Sequence, residues 1–244
     1  MSRIQENGSE SSRQITNEKE LERSSTVQTG LVNVRTVQVL PTSATALPIG
    51  AFATTLTTLS LSLMELRGVT ITNVYVGNFF FVAALGLLIS AQWELAAGNG
   101  FSYTVFSAFA LFYAGYAAIL TPAFGIVAAY GDETAQLNNA LGFFVLIWTI
   151  FVLTFLIASL PTNIVYILIF AFVDLGFLLV AASYFSLADG KDSAIGLKKA
   201  GGAFCFLAGL VGWYLTLHLL IKDTLYDLPL GDTSGYFPKT RKRV

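Results

Sequence analysis

From residue 45 onward the chain is a succession of long apolar stretches separated by short polar breaks. Between Arg67 and Asp189 only Glu94, Asp132, Glu133 and Asp174 carry charge. A helix in water needs a polar face, and these stretches offer none. Runs of roughly 20 apolar residues match the ~30 Å hydrocarbon core of a bilayer. The pattern predicts six spans, at 47–66, 74–97, 102–123, 136–160, 163–187 and 200–221. The fourth and fifth are fused in hydropathy and part at Leu160-Pro161-Thr162-Asn163, a sequence suited to a tight turn. Strict apolar–polar alternation is absent, which argues against a transmembrane β-barrel. Helices are the other way to satisfy every backbone group in lipid. The predicted fold class is therefore an all-α membrane protein with six transmembrane helices.

Composition agrees with that reading. Hydrophobic residues make up 55% of the chain and charged residues 12%, with a mean hydropathy of +0.67. Ordinary globular domains are about 25% charged. Three regions are expected: a disordered cytosolic tail at 1–44, a six-helix domain at 45–222 and a second cytosolic tail at 223–244. The first tail is polar and has no apolar signal-peptide core, so the first helix should serve as its own insertion signal. It reads either as a solvated tail or as a regulatory one carrying phosphosites.

Charge placement orients the bundle. Arg3, Arg13, Lys19, Arg23 and Arg35 precede the spans; Lys222, Lys239, Arg241, Lys242 and Arg243 follow them. An even number of spans puts both termini on one side, and the positive-inside tendency makes it cytoplasmic. Lys191, Lys198 and Lys199 run against this. The expected location is the plasma membrane, with the Asn7-Gly8-Ser9 sequon hidden in the cytosol.

Chemistry is sparse. In the first helix Gly50, Thr54, Thr58, Ser62 and Glu65 share one face, and Thr57 adds a hydroxyl beside it. In lipid such a stripe either lines a water-filled path or bonds to its own carbonyls and glues helices together. Asp174 lies mid-span in the fifth helix, where a carboxylate is a functional candidate by default, or a protonated or neighbour-bonded structural group. Trp93 fits an interfacial belt, which makes Glu94 a headgroup-level cap or salt-bridge partner, with Asn99 nearby. One histidine, His218, and one cysteine, Cys205, cannot build a metal cluster. Gly201, Cys205 and Gly209 form a small-residue face in the sixth helix. No phosphate loop, nucleophile–base pair or nucleotide fingerprint appears, so neither an enzyme, a cofactor nor a nucleic-acid partner is expected.

Several blocks together resemble the acetate uptake transporter family of bacteria and fungi. The family's Asn-Pro-Ala-Pro-Leu-Gly corresponds to Thr45-Ala46-Leu47-Pro48-Ile49-Gly50, with Thr57-Thr58 fixing the register. A second block covers Trp93-Glu94, Gly98-Asn99-Gly100-Phe101 and the aromatic run to Tyr113. Lys199-Ala200-Gly201-Gly202, Trp213-Tyr214 and the tail Leu228-Pro229-Leu230-Gly231-Asp232 are also family-like. The resemblance spans about 44–234 and suggests a divergent, fungal-type member. It implies a pore in each protomer, a hexameric ring and passage of small carboxylates such as acetate or succinate; proton-linked passage is expected, with channel and symport both open. Aligned to the family's Phe, Tyr and Leu constriction stand Thr54, Phe109 and Val173, with Phe52 on a different face from Thr54. The substrate path would then take in Thr45, Gly50, Thr57, Thr58, Ser62 and Asp174. A membrane sensor or scaffold that kept the fold and lost transport is the other class of function.

Overall fold

The computed structural model describes residues 45–237. The tail at 1–44 with Asn7, and the basic residues Lys239, Arg241, Lys242 and Arg243, lie outside the described residues. Six helices follow one another: α1 (Ala46–Leu63), α2 (Asn73–Ala96), α3 (Gly100–Leu120), α4 (Thr134–Ser159), α5 (Ile164–Ala188) and α6 (Ser193–Ile221). Each is long and apolar enough to cross a membrane. The protein is an integral membrane protein.

Without a hydrophobic force between helices in lipid, close backbone approach holds such a bundle together, and small residues permit it. Helix α6 packs along both α5 and α1. Gly202, Gly209 and Gly212 lie against Leu63, Thr57 and Ala53 of α1, and at Gly209 a Cβ would collide with the Thr57 hydroxyl. On the other side Gly201 abuts Val180, and Gly176 of α5 leaves no room for a Cβ beside the Cys205 sulfur. The small-residue face of α6 thus makes intramolecular contacts with two different helices.

Five predicted spans agree with the helices to within about three residues at each end. The sixth does not: α6 begins at Ser193, seven residues before the apolar run. Hydropathy records where apolar character starts, whereas the helix continues beyond it through Lys198 and Lys199, whose ammonium groups are paired with Glu65. Helix α2 is irregular: Asn78–Leu85 is π-helical and Gly86–Ala96 regular α-helix. Between α1 and α2 both Glu65 (φ 57°) and Arg67 (φ 56°) adopt left-handed backbone, at a cost of ~1–2 kcal/mol for a side-chain-bearing residue.

The segment after α6 returns to the bundle. The Tyr214 hydroxyl donates to the Pro229 carbonyl at 2.7 Å. The Ile164 N–H donates to Gly231 O at 2.8 Å, and the Thr233 hydroxyl donates to Leu160 O at 2.7 Å. Gly231 is left-handed (φ 69°), and a Cβ there would press on Ile164. Residues 228–233 therefore strap the end of α6 onto the α4–α5 turn, on the same side as the start of α1.

Candidate functional site

Helices α1, α3 and α5 run in the same direction and face a common axis. Along it lie two small apolar cavities in sequence. The first, about 20 Å³, is walled by Ile49 and Phe52 of α1, Phe106 and Phe109 of α3, and Ile169 and Phe170 of α5. The second, about 30 Å³, is walled by Leu56 and Leu59, Phe112 and Tyr113, and Phe177 and Tyr184 of the same three helices. Each is about the size of one or two water molecules, but its apolar lining offers a water almost no hydrogen-bond partner.

Between the cavities the path is closed. The Phe52 and Phe109 rings meet with centroids 5.4 Å apart, and Phe109 continues to Phe155 at 6.2 Å. Val173, fully buried, lies one helical turn from both Ile169 and Phe177, at the level that divides the two cavities. Phe109 and Val173 thus occupy positions suited to a constriction. The α1 residue opposite them is Phe52, not Thr54.

Thr54 borders an open groove of about 610 Å³ outside the axis, shared with Gly50, Phe81, Gly86 and Leu220. Its hydroxyl donates to Gly50 O at 2.7 Å, and that of Thr58 to Thr54 O at 2.7 Å. Gly50 faces Thr216 of α6, and Thr57 faces Gly209. The Ser62 and Tyr75 hydroxyls pair at 2.8 Å where α1 meets α2. Of the two readings of the stripe, back-bonding and helix contact describe these residues. The axis-facing signal in α1 is instead Ile49, Phe52, Leu56, Leu59 and Leu63, spaced 3, 4, 3 and 4.

One mouth of the axis carries a buried carboxylate. Glu94 is 5% exposed. Its Oε1 accepts from the Thr45 hydroxyl at 2.7 Å and its Oε2 from the Asn99 amide at 2.7 Å. The cluster joins the start of α1 to the α2–α3 turn, so Thr45 serves as a tether and its side chain caps no helix. Trp93 beside it is 54% exposed, consistent with an interfacial position. Of the cap or salt bridge expected of Glu94, no salt bridge forms among the described residues, and two neutral side chains donate to it instead. Asp174 walls neither cavity, and its buried Oδ1 has no hydrogen-bond partner among the described residues.

The far end of the bundle carries Glu65, whose Oε1 is 2.8 Å from Lys198 Nζ and Oε2 3.0 Å from Lys199 Nζ. Hydrogen bonds from Lys198 and then Lys199 hold the Glu65 carboxyl below its ordinary range. A carboxyl with a lowered folded-state pKa contributes stability that is present above its unfolded value and lost as pH falls through the folded one. The melting-temperature difference between wild type and Glu65→Gln should therefore stay constant from neutral pH to about 5, and shrink below the usual Glu value of about 4.3. A difference that grows on acidification would contradict this pairing.

Residues 26–229 match the model of the GPR1/FUN34/yaaH family. The chain is 49% identical over 222 residues to acetate transporter protein patA of Aspergillus clavatus, covering 90% of each chain. It is 50% identical over 203 residues to acetate transporter protein patA of Penicillium expansum, covering 82% of each. The solved structure of the bacterial acetate channel SatP superposes with a TM-score of 0.67 at 21% identity, covering 79% of this chain and 99% of that one. At that identity the likeness speaks for the fold.

Proposed function

The chain belongs to the GPR1/FUN34/yaaH family, and from that premise we propose that it passes acetate and related small monocarboxylates across a membrane along the axis of each protomer. The observation that carries this is the pair of stacked cavities divided by Phe52, Phe109 and Val173. A hydrophobic constriction gates by excluding water, and selectivity follows its diameter and lining. A bare carboxylate would lose its hydration at the aromatic collar without gaining donors there, and burying an unpaired charge is expensive. The uncharged acid crosses more cheaply, which supports a proton-linked mechanism. Succinate would expose two carboxyl groups to the same penalty and should move more slowly than acetate.

The orientation we favour puts both termini in the cytoplasm and the protein in the plasma membrane, on the strength of the ten basic residues that precede and follow the spans. The family resemblance supports a hexameric ring, with the apolar groove beside Thr54 and Phe81 facing out of each bundle.

Labelled-acetate uptake into proteoliposomes, with an acid-outside pH gradient imposed and then collapsed, tests the proposal. Uptake above that of empty vesicles, accelerated by the gradient, is expected. Rates equal to empty vesicles under both conditions would leave a sensor or scaffold as the better reading.

A further inference from the structure

We propose that Lys198 and Lys199 form a carboxylate-capture site at the far mouth of the axis, occupied in this structure by the chain's own Glu65. The inference rests on the transport reading above and adds where the permeating acid is first bound as an anion.

The geometry is that of a carboxylate site. One carboxylate is held by two ammonium groups, each on a different oxygen, at 2.8 and 3.0 Å. The end of a glutamate side chain is a CH2–COO⁻ group, the same grouping that acetate presents. Two lysines share one glutamate, so the pair itself has one positive charge more than it has carboxylates. Lys191 does not share Glu65, being paired with Asp189 at 2.6 Å. The lysines are also within reach of water, with side chains 34% and 47% exposed, so a solute can exchange with Glu65.

Its position links it to the path. Lys198, Gly202 and Cys205 share one face of α6. Cys205 borders the second cavity. Seven residues of helix put Lys198 roughly 10 Å further out along the same face. Glu65 comes two residues after Leu63, which borders that cavity as well and abuts Gly202. The left-handed backbone at Glu65 turns the chain at this point, just past the end of α1. An anion held by the two lysines stands at the outer end of the axis.

The two roles a salt bridge can have here predict opposite patterns. If the pair only braces α1 against α6, removing either charge breaks the same bridge and both variants move transport the same way. If Glu65 competes with substrate, Glu65→Gln empties the site, whereas Lys198→Gln with Lys199→Gln removes it. Initial rates of labelled-acetate uptake in proteoliposomes, normalised to protein recovered in the membrane, separate the two. Glu65→Gln should lower the apparent KM and the double lysine variant should raise it, each by roughly two- to fivefold, the size of an exposed ion pair. Both shifts should fade in high salt, since exposed charges are screened. Lys198→Arg with Lys199→Arg keeps both charges and should raise KM less than the double glutamine variant does. Shifts in the same direction, or none in either variant while wild type carries acetate, would overturn capture alone. A wild type that carries no acetate would overturn capture together with the transport reading.

Discussion

Phe52→Ala should raise the rate of acetate uptake and admit longer monocarboxylates such as butyrate. The side chain is one half of a ring pair that spans the axis between α1 and α3, 5.4 Å from Phe109. Its removal merges the two cavities and lets water reach the level of Val173. Every ~1.4 kcal/mol taken from the barrier is a tenfold gain in rate, so a rise of about tenfold follows from a modest easing of the collar. Truncating a buried Phe costs roughly 3–5 kcal/mol of stability, and the variant should melt earlier. Thr54→Phe is the matched control. That side chain borders the groove beside α6, so it should leave the axial rate unchanged. Labelled-substrate flux per folded protein reads both. Unchanged flux in Phe52→Ala combined with slowing in Thr54→Phe would restore Thr54 to the constriction and remove Phe52 from it.

Glu94→Ala should lower the melting temperature clearly, while Glu94→Gln should lower it little. Truncation takes the acceptor from two donors, the half-buried Thr45 hydroxyl and the exposed Asn99 amide, that each reach a Glu94 oxygen at 2.7 Å. Net loss of a hydrogen bond costs ~0.5–1.5 kcal/mol, a noticeable part of the stability of most domains. Glutamine changes less, because a hydroxyl can accept as well as donate and the Asn99 side chain can turn its carbonyl inward. Thr45→Asn supplies an amide donor at the same place and should be tolerated, which accounts for this chain's departure from the family's Asn-Pro-Ala-Pro. Thermal melting of the purified variants decides it. A Glu94→Ala protein that melts with wild type would mean the cluster contributes nothing to holding α1.

The six spans were legible because hydrocarbon thickness imposes one length on every helix, and no polar face interrupts them. The register of α1 was harder. In a soluble helix the apolar face points to the core, but a membrane helix is apolar all round and its periodicity carries little direction. The few hydroxyls therefore drew the eye to Gly50, Thr54 and Thr58, while the axis is walled by Ile49, Phe52 and Leu56. Phe109 and Val173 were singled out by the family pattern, independently of polarity, and both are buried. Of the two partners of Glu94, the distant one could not be read: Thr45 is 49 residues away, and the contact exists only once α1 and α2 lie side by side.

The strap across the α4–α5 turn sets an order of events in biosynthesis. The Leu160 carbonyl and the Ile164 N–H find their partners in Thr233 and Gly231, about 70 residues later in the chain. When α4 and α5 leave the ribosome and enter the bilayer, the groups that complete their turn have not yet been made. All six spans can be inserted while that corner is still open, and it is closed only when Gly231 and Thr233 emerge. Premature termination just past Ile221 would yield a chain with every span and an unfinished corner, and quality-control proteases would find it there.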